Sequence, residues 1–234
     1  MPELSKPATS SRKINKIEIA MLTIVFALVI AGIVICFVNK QWFEDVYTSE
    51  DGFIENFTVF PLSVAVVTAI VYLVKLASKR SWMFILCMSV AALFGFFVAG
   101  EEISWGQRIF HVESSEFFLE NNAQHETNLH NMVVDGEKVN KIVFTWLLGL
   151  TVALYLFLLP WLYAKKPGVK RFIDWAGIPV PHRVQIIAAI ALFVCIGIIP
   201  SSKNSELLEL GISSIFLLIL LYPQNVAVFR TDKA

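Results

Sequence analysis

Charge is scarce in this chain, and so are the residues that staple small secreted folds. Charged side chains make up 16% of 234 residues and balance to a net charge of zero, so no basic surface points to nucleic acid. The three cysteines, Cys36, Cys87 and Cys195, all sit inside apolar runs. That placement excludes a disulfide framework or a zinc knuckle, and they read as small hydrophobes. No internal repeat and no low-complexity tract is visible. A signal peptide is also missing: the first apolar run, from Ile17, is too long for an h-region, and no small-residue cleavage site follows it. What abounds is apolar. The chain is 56% hydrophobic with a mean hydropathy of +0.67, the composition of a multi-pass membrane protein.

Six segments are long enough for spanning helices, which need roughly 20 residues. They are Ile17–Val38, Phe53–Leu76, Trp82–Gly100, Lys141–Ala164, Val184–Pro200 and Leu207–Tyr222. Only helices are expected, because an open chain in lipid must satisfy its own backbone. Pro61 is a candidate kink in the second span. The expected fold is all-α: a six-helix bundle over 17–222 with a structured outer loop at 101–140. A disordered cytoplasmic segment at 1–16 and a cytoplasmic tail at 223–234 flank it. Basic residues set the orientation. With the N-terminus inside, only Lys40, Arg108, Lys138, Lys141 and Lys203 of the 19 Lys and Arg fall outside. Of the 19 carboxylates, only Glu3, Glu18, Asp174 and Asp232 fall inside.

The acidic outer face is in part a solvated one, and that reading suits Glu44, Asp45, Glu113, Glu116, Glu120, Asp135 and Glu137. Carboxylates at helix mouths are costlier to keep there. They are Glu50, Asp51 and Glu55 at the second helix, Glu101 and Glu102 at the third, and Glu206 and Glu209 at the sixth. The same side holds the polar stretch from Gly100 to Asn131, with three of the four histidines. Convergence of these three mouths and of the loop carrying His125, Glu126 and His130 on one cavity is the expectation to test.

Helical spacing sharpens it. If the third helix continues outward, Glu101, Trp105 and Arg108 share a face. Glu101 and Glu102 are adjacent, so one of them faces the bundle, where a desolvated carboxylate serves as a general acid or base. Ser205 is the candidate cap of the sixth helix, with Glu206 complementing its dipole. Glu209 lies one turn deeper and has the weaker capping role. Glu126 and His130 would share a helix face and, with a third ligand, hold a divalent ion. A hydrogen-bonded structural pair is the plainer alternative. Gln124, Asn128 and Asn131 supply amides for a headgroup or for anchoring the loop. The Phe-rich spacer around Phe110, Phe117 and Phe118 reads as resting on the outer interface. The basic run KKPGVKRFIDW reads as lying against anionic lipid.

The motifs EEISWGQRIF and QHETNLHN, with the helix entry EDGFIEN, resemble those of an uncharacterised family of bacterial multi-pass membrane proteins. The resemblance implies a bacterial inner (plasma) membrane location. It picks out Glu101, Glu102, Trp105, Gly106, Gln107, Arg108, Gln124, Glu126, Asn128, His130 and Asn131, leaves out His111 and His125, and supplies no mechanism. The Ser, Asp and paired-His pattern of alkaline ceramidases is not matched.

The favoured functional reading is a hydrolase or transferase acting at the outer leaflet on a lipid or lipid-linked substrate. Glu101 or Glu102, with His130, would be catalytic. Trp105, Gln107, Arg108, Gln124, Asn128, Asn131 and Glu209 would contact substrate. Ser104 has no evident base partner in the sequence, so no nucleophile is assigned. Two other classes stay open: a proton- or cation-coupled transporter, and an assembly partner docking through the outer loop.

Overall fold

The computed structural model describes residues 14–49, 52–129, 131–134, 137–138 and 149–231. The expected disorder of the first thirteen residues, Glu50, Asp51, His130, Asp135 and the start of the fourth span at Lys141 lie outside the described residues. Within them the chain is helical apart from a minimal antiparallel pair, β1 (Val133–Val134) with β2 (Glu137–Lys138), in which Val133 faces Lys138.

Among the described residues, nine helices carry the architecture: α1 (Lys16–Val38), α2 (Phe53–Leu76), α3 (Trp82–Glu102), α4 (Gln107–Phe110), α5 (Glu116–Asn121), α6 (Gly149–Lys165), α7 (Pro167–Ala176), α8 (Arg183–Ile198) and α9 (Asn204–Leu221). Helices α1, α2, α3 and α9 are long and apolar enough to cross a membrane; α6 and α8 are shorter apolar helices. α1 begins where Asn15 and Glu18 cap each other: Ile17 N donates to Asn15 Oδ1 (2.9 Å) and Asn15 N to Glu18 Oε2 (3.4 Å). Ser81 caps α3 by accepting from Phe84 N at 3.1 Å. α2 runs as one helix through Pro61.

α9 is the central column. Of its residues 56% are buried, against fewer than a third in α1, α2 or α3. It packs on α1, α2 and α8, and Tyr155 of α6 stacks on Phe216 (centroids 5.4 Å apart). Val29, Ile54, Leu192, Leu207 and Leu210 form the main core. Gly211 permits the close α8 approach, since a Cβ there would sit 2.4 Å from Leu192 Cδ2. A second cluster, around Ala69, Phe84 and Met88, joins α2 and α3 to the C-terminal Phe229.

The bundle has two chemically different ends. α3 has 21 residues, so its ends lie about 30 Å apart. At its start, Arg80 Nη2 donates to Ala227 O (3.2 Å) and Arg230 O (3.0 Å), and Ser81 Oγ to Trp175 O (2.5 Å). Its last residues are Glu101 and Glu102. Towards the first end, a polar latch ties α1, α8 and α9. Buried Gln185 donates from Nε2 to buried Glu18 Oε1 (2.9 Å) and to Leu218 O (3.0 Å), and its Oε1 accepts from His182 N (2.8 Å).

Candidate functional site

The third helix does not continue outward through its motif. It stops at Glu102, and three successive residues then adopt left-handed backbone: Ser104 (φ 45°), Trp105 (φ 54°) and Gly106 (φ 74°). Only glycine takes this region freely, so Ser104 and Trp105 are held by tertiary contacts. Trp105 folds back on α3, edge-on to Phe96 and Phe97 (centroids 5.9 and 5.8 Å). Its Nε1 donates to Glu101 Oε1 at 2.8 Å. Glu101 Oε2 accepts from Leu129 N at 2.5 Å. Glu101 is therefore buried with both oxygens engaged.

That correction re-pairs the motif. Arg108 joins Glu126, not Glu101: its Nε donates to Glu126 Oε1 at 2.7 Å, and its Nη2 bonds the same oxygen. Glu126 Oε2 accepts from Ser104 Oγ (2.5 Å) and Asn128 Nδ2 (3.4 Å), while Asn128 Nδ2 also donates to Ser104 Oγ (2.8 Å). Gln107 Oε1 accepts from Thr127 N (2.7 Å) and Ser114 Oγ (3.1 Å). Asn128 Oδ1 accepts from Asn131 N (3.0 Å). The two motifs clasp each other through Glu101, Ser104, Gln107 and Arg108 on one side and Glu126, Thr127, Asn128 and Leu129 on the other.

Two further consequences correct the expectations. Glu126 lies in a turn outside any helix, so the helical spacing behind the expected metal pair is not found at Glu126. With His130 outside the described residues, Glu126 keeps only oxygens already committed to Arg108, Ser104 and Asn128. Among the described residues, no group of three or more His, Cys, Asp or Glu is placed to hold a metal ion. Arg108 is likewise partnered, which weakens its expected role as an anion binder. Gln124 Nε2 is buried with no partner among the described residues. His111 and His125 are exposed, with His125 Nδ1 2.5 Å from Leu119 O.

Glu102, one residue from Glu101, has a different setting. It is half-buried, and its carboxylate lies within Coulombic range of those of Glu206, Glu55 and Glu101. Glu209 in turn lies within electrostatic reach of Glu102, Glu206 and Glu55. Of the four segments expected to converge, the ends of α2, α3 and α9 place Glu55, Glu102, Glu206 and Glu209 within electrostatic reach of one another, while Glu126 is held in the clasp instead. No protein-family model, curated protein or solved structure matches the chain.

Why the mouths meet follows from packing. α9 lies against α2, and α2 against α3, so their ends share one rim. α9 also begins earlier than expected, at Asn204 with Lys203 at the cap position and no side-chain cap. Ser205 is therefore inside the first turn, where its Oγ reaches Ser202 O (3.4 Å). Glu206 is buried, and Glu209 follows at i+3 on the neighbouring turn.

Sequence reasoning left Ser104 without a partner and missed Asn122 and Ser114. Ser104 does have a carboxylate partner, Glu126, but it is 2% exposed and its Oγ already donates once and accepts once. It holds the turn. Buried Asn122 organises the second motif, accepting from Gln124 N (2.8 Å) and Glu126 N (3.3 Å) and donating to Asn128 Oδ1 (2.9 Å). The signal was present: an Asn that bonds its own backbone two residues on is a turn former.

Proposed function

We propose that the acidic mouth is an acid–base site for hydrolysis or group transfer on a lipid or lipid-linked substrate, and that the clasp is its scaffold. The observation that carries this reading is the convergence of Glu55, Glu102, Glu206 and Glu209 from three helices. Two carboxylates suffice for such a reaction: one takes a proton from water or an acceptor hydroxyl, and the other protonates the leaving oxygen. No side-chain nucleophile is required. Four acids repel a phosphate, so the part of the substrate at the mouth is uncharged and hydroxyl-bearing, or cationic. On this reading Glu102 and Glu209 are the reacting pair. Of the motifs that carry the family resemblance, Glu102 and Glu55 belong to the mouth, and the SWGQR and QHETNLHN segments serve as the scaffold.

The placement at helix ends supports a headgroup substrate. Glu102 is the last residue of α3, and Glu55 and Glu206 are each the third of their helices, which is where headgroups meet a spanning bundle. We place this end outside, with six spans and both termini in the cytoplasm of a bacterial inner membrane, because most Lys and Arg lie at the other end. The test is turnover of lipid-linked glycans or glycolipids by the purified full chain. Glu102→Gln and Glu209→Gln are expected to lose at least about a hundredfold in rate while keeping the fold; full turnover by both variants defeats the reading.

A second reading is proton- or cation-coupled transport. It is favoured by the depth of Glu209, a turn inside α9 among Leu207, Leu208 and Leu210. Flux into liposomes driven by a pH gradient, lost in Glu209→Gln, would favour it over surface chemistry.

A further inference from the structure

We infer that the basic end of the bundle holds an anionic phospholipid, with its headgroup on α7 and an acyl chain in the groove beside α3. Nothing in this site rests on the acidic mouth.

α7 is strongly amphipathic. Val169, Ile173 and Ala176 recur at i, i+4 and i+7 and turn inward, and Ile173 and Ala176 are fully packed. Its docking is rigid. Asp174 accepts from Tyr163 Oη (3.0 Å) and Asn225 Nδ2 (3.1 Å), and Ser81 Oγ donates to Trp175 O. The helix ends at Gly177 (φ 69°), where a Cβ would sit 2.1 Å from the Phe84 ring. No side chain larger than hydrogen fits between α7 and α3 there.

What this docking leaves outward is two kinds of surface. One flank carries Phe172 and Trp175, and Trp175 meets Trp82 of α3 edge-on at 5.8 Å. Exposed aromatics of this kind settle at the headgroup level. The other flank carries Lys170 and Arg171, with Lys165 and Lys166 just before the helix, and all four are exposed. Lys170 Nζ lies 5.4 Å from the Tyr163 ring, which fixes its direction. The one carboxylate on α7, Asp174, is taken by Tyr163 and Asn225. Four cations therefore face out with no acid on their own helix to neutralise them.

Beside this surface lies an apolar groove of about 370 Å³. Leu86, Val90 and Phe94, one helical stripe of α3, form one wall, and Ile178 and Pro179, just past the α7 cap, form the other. A groove this apolar next to clustered cations matches an amphiphile with one anionic head. A soluble acidic protein would satisfy the cations but leave the groove unfilled. A neutral lipid would fill the groove but not meet the charge.

The experiment uses the full chain in phosphatidylcholine vesicles containing a minor fraction of either brominated phosphatidylglycerol or brominated phosphatidylcholine. Bromine quenches tryptophan on contact, and Trp82 and Trp175 report on the site. Phosphatidylglycerol is expected to quench more at equal fraction, with the excess removed by Trp82→Phe/Trp175→Phe. Its preference should weaken about fivefold for each of Lys165, Lys166, Lys170 and Arg171 changed to Gln. The Lys170→Gln/Arg171→Gln double variant serves if the quadruple one fails to fold. Equal quenching by the two lipids, or an undiminished excess in the double variant, overturns the proposal. Quenching that follows charge but persists without Trp82 and Trp175 places the lipid elsewhere and overturns it too.

Discussion

Glu101 and Glu102 are neighbours in sequence and opposites in setting. Glu101 is turned into the clasp, where Trp105 Nε1 and Leu129 N occupy both oxygens. Glu102 is turned into the mouth, where its neighbours are other carboxylates. The same difference separates the two regions at large. In the clasp each acid has donors: Glu126 alone takes Arg108, Ser104 and Asn128. In the mouth, Glu102 and Glu209 sit within electrostatic reach of each other and of Glu55 and Glu206. A saturated carboxylate stabilises its surroundings but is unavailable for proton transfer. A crowded one destabilises them and is available. On the proposed function, structure and chemistry are divided between adjacent residues.

The comparison can be broken most sharply at Glu126. Glu126→Ala should cost about 2–4 kcal/mol, because it strands donors on Arg108, Ser104 and Asn128. The measurement is thermal unfolding of the purified chain, and a loss below about 0.5 kcal/mol would remove the clasp as a structural unit. Next comes Gly106→Ala. Its φ of 74° and a Phe110 ring 3.1 Å from the new Cβ predict a loss of about 1–2 kcal/mol in the same assay. Ser104→Ala is milder, about 1 kcal/mol, and is more informative for function. If the mouth reacts and the clasp supports, this variant keeps most of its turnover; abolished turnover with an intact fold would move the chemistry to Ser104 and Glu126. The smallest effect on stability is Glu209→Gln. Relief of like-charge repulsion should leave stability unchanged or raise it by up to about 1 kcal/mol, while function is lost.

The four helices long and apolar enough to span, α1, α2, α3 and α9, were legible because hydropathy is a sum over many residues and tolerates local error. α1, α2 and α3 start or end within two residues of their expected limits. That the mouths of α2, α3 and α9 share one end of the bundle was legible for the same reason, since it needs only those helices and their order. The clasp was not. Extending α3 through SWGQR put Glu101 and Arg108 on one face. The chain instead reverses at Ser104, Trp105 and Gly106, two of which are residues that rarely take left-handed backbone. Gly106 was the available warning, because glycine after an apolar run marks a helix stop. The Arg108–Glu126 pair crosses 18 residues of irregular loop, and no periodicity reports on that. The start of α9 was missed by three residues because Asn204, Ser205 and Glu206 are polar, and hydropathy sees no helix in them.

The division between the two glutamates is tested most directly by the melting temperatures of Glu101→Gln and Glu102→Gln, measured side by side on the purified full chain. The amide introduced by Glu101→Gln would present an NH₂ to one of the two donors that the carboxylate now satisfies. The account therefore predicts a loss of about 1–3 kcal/mol for Glu101→Gln and no loss, or a gain, for Glu102→Gln. Equal destabilisation by both substitutions, or a larger loss at Glu102, would contradict it.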